Sequence, residues 1–245
     1  LTHVYDAAYC RWRAAQVGTV IALLAAGLAG ADRLTRLAEE GLYADQIVYA
    51  RSTKYQRIVV TKWREDVRLF LNGNLQFSSR DEYRYHEALV HPGLAALPGA
   101  RRVLVLGGGD GLAVREVLRY PDVESVTLVD LDPEMTQLFA TAPLLRTLNR
   151  DALLSPKVKV VNADAFKWLE ASGEYFDFIV VDFPDPSNYS LGKLYTTSFY
   201  QLLERRLAAR GLAVIQSTSP LYARKSFWCV VTTVEAAGLK ATPYH

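Results

Sequence analysis

The spacing of apolar positions changes character along the chain. From Ala14 to Ala31 the run AAQVGTVIALLAAGLAGA holds eighteen residues without a charge and without a polar face. At a helical rise of ~1.5 Å per residue it spans roughly 27 Å, just short of the roughly 30 Å hydrocarbon core of a bilayer. Arg11 and Arg13 flank one end and Arg33 and Arg36 the other, so the positive-inside rule fixes no orientation. Two readings stand: a membrane helix, or an Ala/Gly-rich helix buried in a soluble protein. In a membrane, Gly18, Ala22, Ala25, Ala26 and Ala29 suit close packing against companion helices. The stretch ADRLTRLAEEGLYADQ that follows is polar and reads as a short helix or linker.

From Tyr55 the texture becomes β-branched and aromatic, in YQRIVVTKW, VRLFL and NLQF. Asn72-Gly73 between the last two is a strong hairpin signal. Residues 47–80 are therefore predicted to form a small antiparallel β unit. DEYRYHEALVHPGLAAL predicts a helix stopping near Pro98-Gly99. Beyond Arg102, short apolar runs alternate with helical patterns. Strands are predicted at 103–106, 125–129, 158–162, 176–181 and 212–217. LAVREVLRY, LYTTSFYQLLERRLAA and YARKSFWCVVTTVEAAG read as helices, and a last strand begins at Leu239. Repeated βα units predict an α/β fold with a parallel sheet covered on both faces. Three segments result: an apolar helix and linker over 1–46, a β-hairpin domain over 47–80, and a Rossmann-like domain over 81–245.

Composition narrows the partners. Among 245 residues, 28 Lys+Arg against 26 Asp+Glu give net +2, too little for a nucleic-acid field. Cys10 and Cys229 cannot build a disulfide framework and have no metal-ligand spacing. His86 and His91, five apart, do not share a helix face for a metal, so no metal is expected. No G-x-S-x-G elbow surrounds Ser217 or Ser219, so a hydrolase triad is unsupported. The chain opens at Leu1 with no signal-peptide pattern, and one weak span implies that companion spans lie upstream.

Acids collect where ligands bind. In an open α/β sheet that place is beyond the carboxyl ends of the strands. Asp110 lies in the first loop, and Asp130, Asp164 and Asp182 close the next three predicted strands. In GGGDG, Gly107 and Gly109 let the backbone approach a ligand, and Asp130 falls where an acid meets ribose hydroxyls. The alternative is a tight turn beside a surface acid. Leu112 breaks GxGxxG, and no Lys-Ser/Thr follows, so this is not a Walker loop. Asp110 repels phosphate and favours a sulfonium or amine. Asp164-Ala165 serves an adenine amino group, a helix N-cap, or both. Asp182-Phe183-Pro184-Asp185-Pro186 sets two acids three apart on a proline-restricted turn. Read blandly, that segment is a solvated turn.

Together these segments resemble the spermidine synthase (polyamine aminopropyltransferase) family. The matching residues are YQ (55–56), LNGNLQ (71–76), DEYRYHEALVHP (81–92), VLVLGGGDGLAVREVLRY (103–120), VESVTLVDLD (123–132), NADA (162–165), VVDFPDPS (180–187) and LYTTSFY (194–200). The N-terminal run resembles the end of the membrane region in a membrane-bound bacterial branch. The resemblance implies a class I methyltransferase-like Rossmann fold behind a small antiparallel β domain. It implies aminopropyl transfer from decarboxylated S-adenosylmethionine, a co-substrate and not a tightly bound cofactor, to a diamine such as putrescine. Spermidine and methylthioadenosine would be the products. Gln56 and Asp130 would contact the nucleoside, and Asp164 and Ala165 the adenine. His86 and Asp110 would lie towards the aminopropyl chain, with Tyr85 and Gln76 lining the slot. Asp182 would be the base and Asp185 would hold the amine. The resemblance also implies a dimer or tetramer, at the bacterial inner membrane with its catalytic domain in the cytoplasm.

The chain departs from the family at Phe183-Pro184, where Phe183 is expected to narrow or reshape the diamine slot, and at Ser187-Asn188-Tyr189. It also stops at PYH, where relatives continue into two more strands. Two competing functions share the pattern: a methyltransferase using S-adenosylmethionine itself, and a non-catalytic membrane-tethered polyamine-binding module. The extra carboxylate of S-adenosylmethionine disfavours the first beside Asp110.

Overall fold

The computed structural model describes residues 7–31, 33, 35, 41–186 and 189–244. The chain divides into two compact units, Leu1–Ser78 and Ser79–His245. In the first unit, α1 runs over Ala7–Ala29. It starts a turn or more before the uncharged run and takes in Arg11 and Arg13. Its stretch Tyr9–Ala29 is long and apolar enough to cross a membrane, and none of its apolar window is buried. Most of the polar linker, 32, 34 and 36–40, lies outside the described residues.

Four strands follow: β1 (Gln46–Ser52), β2 (Arg57–Trp63), β3 (Asp66–Leu71) and β4 (Asn74–Ser78). They form an antiparallel sheet in chain order. Ile58, Val59, Val60, Val67, Leu69 and Phe77 are its buried hydrophobic residues. Asn72 and Gly73 both take positive φ, 52° and 81°, the backbone that a two-residue hairpin between right-twisted strands needs.

The second unit begins with α2 (Glu82–Ala95), then β5 (Arg102–Gly107), α3 (Leu112–Val117) and β6 (Ser125–Asp130). Next come α4 (Pro133–Thr141), α5 (Pro143–Asn149), β7 (Val158–Asn162), α6 (Ala165–Ala171) and β8 (Phe176–Asp182). After short helical turns at Tyr189–Gly192 and Lys193–Tyr195 the unit ends in α7 (Thr197–Glu204), β9 (Leu207–Ile215) and α8 (Arg224–Ala236). All neighbouring strands pair in parallel, in the order β7-β6-β5-β8-β9. The fold is thus α/β and Rossmann-like, preceded along the chain by a small antiparallel sheet and an apolar helix. β5 is central, and Val103 to Leu106 are fully buried. The connections run one way from β5 through β6 to β7 and then cross to β8. The β5–β8 boundary is therefore a topological switch point, the usual place for a ligand crevice.

Three predicted elements differ. LYTTSFYQLLERRLAA is not one helix: Thr196 is extended (φ −97°, ψ 157°) and its side chain accepts from Phe199 N, so a new helix starts there. β9 begins at Leu207, opposite Phe176, where a helical end was expected. From Leu239 to Tyr244 there is no strand; Leu239 and Ala241 instead cover the core partly buried.

Candidate active site at the carboxyl edge of the parallel sheet

Gly107, the last residue of β5, stands in register with Asp182, the last of β8. A Cβ on Gly107 would lie 2.2 Å from the Asp182 carbonyl oxygen, and its φ is +80°. Only glycine fits both demands. Two places along, a Cβ on Gly109 would meet Asp130 Cγ at 2.7 Å. The bare loop thus lets two acids close in on its backbone. Gly109 N–H donates to Asp130 Oδ2 (3.1 Å), and Asp132 N–H donates to Asp130 Oδ1 (2.8 Å). Burial pushes the Asp130 carboxyl up to about 6, against the pull of the Asp132 N–H and with the push of Asp110.

Asp110 is 8% exposed. Its Oδ1 accepts Leu112 N–H at 2.9 Å, and its backbone oxygen accepts Asn149 Nδ2 at 2.9 Å. Burial raises its carboxyl to about 6; charge on His86 pulls it back and Asp182 adds to the rise. Across the switch point, the Tyr85 hydroxyl donates to Asp182 Oδ1. Desolvation, then the Asp182 charge, hold the Tyr85 phenol well above its usual range, so it remains a donor. His86 meets the Tyr85 ring edge-on, with centroids 4.9 Å apart. Burial lowers the affinity of His86 for a proton. The Glu82 hydrogen bond and the charges of Asp110 and Asp182 outweigh that and raise its pKa.

Tyr85, His86, Asp110 and Asp182 therefore form one electrostatic cluster, with Asp130 next to it. Asp164 stands one strand over, past the end of β7. It caps α6, accepting from Phe166 N (3.0 Å) and Lys167 N (3.4 Å), and its other oxygen pairs with Lys193. Against its partial burial, the Lys193 bond lowers its pKa. Ala165, the first residue of α6, is buried. Asp185 is exposed and accepts from Gln216 Nε2 at 3.3 Å. Gln216 Oε1 lies 3.3 Å from the Tyr195 hydroxyl, which is also 3.0 Å from the Pro184 carbonyl. Gln56 and Gln76 belong to the N-terminal unit. Gln56 is half-buried beside β2, and Gln76 is exposed on β4 with its amide on the Asn74 carbonyl.

One expectation is overturned. Phe183 does not line a slot: it is 7% exposed, belongs to the hydrophobic core and lies 5.8 Å from the Phe199 ring. Successive residues of extended chain point to opposite sides, so with Asp182 at the edge Phe183 turns inward. Ser187 and Asn188 lie outside the described residues. Sequence reasoning missed Glu82, Arg115, Asn149, Lys193, Tyr195 and Gln216. Only Glu82 carried a signal, its i,i+4 spacing from His86 on a helix.

A profile of the spermine/spermidine synthase domain matches residues 82–245. The chain belongs to the spermine/spermidine synthase family. Among relatives, polyamine aminopropyltransferase 2 of Ralstonia nicotianae is 59% identical over 234 residues, 96% of this chain and 45% of that protein. The polyamine aminopropyltransferase of Leptospira interrogans is 55% identical over 231 residues, 94% and 46% of the two chains. The chain thus spans a little under half the length of these relatives. A spermidine synthase crystallised with the transition-state analogue AdoDATO superposes with a TM-score of 0.71 at 26% identity, over 78% of this chain and 65% of that one. Spermidine synthase from Thermotoga maritima gives 0.71 and 26% over 78% and 64%. Every motif quoted above from Glu82 onward falls inside the family match.

Proposed function

We propose that this chain carries the catalytic part of a polyamine aminopropyltransferase. It would move the aminopropyl group of decarboxylated S-adenosylmethionine to a diamine such as putrescine, giving spermidine and methylthioadenosine. The observation that carries this reading is the buried Asp110 and the partly buried Asp130 beside a Tyr85-bound Asp182 at one sheet edge. Carboxyls raised to about 6 by desolvation are favoured in their charged form by added cations, and a sulfonium with an ammonium supplies two.

The chemistry follows. An alkylamine has a pKa of about 10 and arrives protonated. Asp182, with Oδ1 held by Tyr85, accepts that proton through its other oxygen. The freed nitrogen attacks the aminopropyl carbon; the N–C bond forms as the C–S bond breaks, and methylthioadenosine leaves as a neutral thioether. Positive charge moves from sulfur to nitrogen, and the fixed carboxylates stabilise that shift. Asp130 is assigned to the ribose, Asp164 and Ala165 to the adenine, with Gly107 and Gly109 beneath the nucleoside. Gln56, Gln76 and Asp185 are assigned as the resemblance implies. A methyltransferase would have to seat the carboxylate of S-adenosylmethionine near Asp110, which like charge opposes.

The exposed apolar α1 supports a chain held at a membrane; the bacterial inner membrane, with the catalytic domain in the cytoplasm, rests on the family resemblance alone. Assembly as a dimer or tetramer rests on the family resemblance. Incubation with decarboxylated S-adenosylmethionine and a panel of diamines should release methylthioadenosine in step with amine consumed. No release with any diamine, or methyl transfer from S-adenosylmethionine, would refute the assignment.

A further inference from the structure

A buried chain of charges stands behind His86 and is not used by the reaction above. His86 is 3% exposed. Its Nδ1 lies 2.7 Å from Glu82 Oε2 and 2.9 Å from the Glu82 carbonyl oxygen. A carboxylate and a carbonyl only accept, so Nδ1 carries the hydrogen. Glu82 is gripped from the other side by Arg115, whose Nη1 and Nη2 donate to its two oxygens at 2.8 and 3.0 Å. Arg115 is fixed in turn by Glu116 Oε1 (2.7 Å) and the Leu148 carbonyl (2.9 Å).

A buried ion pair of this kind adds little net stability, since well-packed apolar residues would serve as well. What it supplies is a carboxylate that stays ionised at neutral pH. Burial pushes Glu82 up, but the bonds from His86 and Arg115 outweigh it and bring it down to about 2. On the far side of the ring, Nε2 makes no hydrogen bond with any described residue. The charges of Asp110 and Asp182 favour a second proton there in the ligand-free chain; an arriving ammonium opposes that proton, and in the neutral ring Nε2 is a lone pair.

We propose that Glu82 and Arg115 are positioning residues that lock His86 in its Nδ1–H tautomer, so that Nε2 accepts a hydrogen bond from the primary ammonium of the aminopropyl donor. The inference rests on the functional reading above. An ammonium offers donors only, so each group meeting it must accept. A ring protonated on Nε2 would set a donor against a donor.

Nitrogen NMR of the histidine-labelled chain at high pH, with His86 assigned among the four histidines from a His86→Gln spectrum, reads the tautomer directly. Hydrogen on Nδ1 is expected; hydrogen on Nε2 overturns the proposal, and this measurement needs no variant at Glu82. In Glu82→Gln, the Arg115 fork takes the amide oxygen and the amide NH₂ faces Nδ1; only the backbone carbonyl of residue 82 is left to hold the Nδ1 hydrogen, and the tautomer is expected to shift towards Nε2–H. Calorimetry should then show decarboxylated S-adenosylmethionine bound about 10- to 100-fold more weakly. Methylthioadenosine, which lacks the aminopropyl ammonium, should bind as to the wild type. Equal weakening of both ligands, or a further loss when Glu82→Gln is added to His86→Ala, makes Glu82 merely structural and overturns the proposal. These are equilibrium readings. A wild-type chain that releases no methylthioadenosine would fail the functional reading and leave the tautomer result standing.

Discussion

Tyr85 and Asp182 are 97 residues apart in sequence, and the Tyr85 hydroxyl donates to Asp182 Oδ1. One comes from the first turn of α2 and the other closes β8, so the bond ties the helix that precedes the sheet to the switch point. It also fixes which carboxylate oxygen is free. Asp182→Asn keeps the shape but cannot take a proton from an ammonium, and turnover should fall by about 10²–10⁴-fold. Tyr85→Phe keeps the base and loses its orientation, so turnover should fall by about 10–100-fold, the scale of one hydrogen bond to a charged group. Single-turnover release of methylthioadenosine checks both. Higher pH should partly rescue Asp182→Asn, because more amine arrives neutral. Wild-type turnover by Asp182→Asn at pH 7 with saturating diamine would remove Asp182 as the base.

Phe183 makes the opposite point, since it is adjacent in sequence yet faces the core. Phe183→Leu should lower unfolding free energy by about 1–2 kcal/mol through lost packing. Relative kcat/KM across diamines of different length should stay the same. A changed preference would return Phe183 to the slot.

The contrast between these neighbours shows what was legible in sequence. Most strands were, because alternation, the Asn72-Gly73 turn and strand-ending acids are local signals. Asp110, Asp130, Asp164 and Asp182 were legible as site candidates because a parallel sheet puts its strand ends on one edge. The direction of Phe183 was not, since it depends on how the chain leaves β8. Nor was Arg115: its partner Glu82 lies 33 residues earlier, and α2 and α3 must pack before the two meet. The start of β9 at Leu207 was hidden for the same kind of reason. The helical pattern runs on through it, and tertiary pairing of Leu207 with Phe176 decides otherwise.

Asp164 caps α6 and is also assigned to the adenine, and the two roles separate by substitution. Asp164→Ala should cost about 0.5–2 kcal/mol of stability as well as ligand affinity. Asp164→Ser keeps a capping oxygen, so stability should hold while methylthioadenosine binding weakens. Thermal unfolding with and without methylthioadenosine tests this. Unchanged affinity in both variants would leave Asp164 a cap alone.

The apolar window of α1 is fully exposed in this chain. If a bilayer is what covers it, a chain lacking residues 1–36 should stay in solution without detergent, and the longer chain should partition into vesicles. Flotation on a density gradient reads this. A longer chain that is freely soluble and monomeric would count against a membrane role.

Asp110 gives the sharpest conflict between folding and function. Its carboxyl sits at about 6 in the folded chain against an ordinary 3.8. Below the lower value both folded and unfolded states are protonated. Between the two values only the folded state keeps the proton, so stability falls as pH rises through this window. Above about 6 the full cost persists, about 3 kcal/mol for a gap of that size. Asp110→Asn retains an acceptor for Leu112 N–H and removes the charge. Without ligand it should be more stable than the wild type by about 1–3 kcal/mol at pH 8. Near pH 3.5, where Asp110 is itself neutral, the advantage should vanish. The same substitution should weaken binding of decarboxylated S-adenosylmethionine, because the counter-charge for its cationic chain is gone. Urea unfolding at the two pH values and calorimetry at pH 8 measure both sides. If Asp110→Asn is no more stable than wild type at pH 8, burial is not what raises this carboxyl. If donor affinity survives the substitution, the acid is not there for a cation.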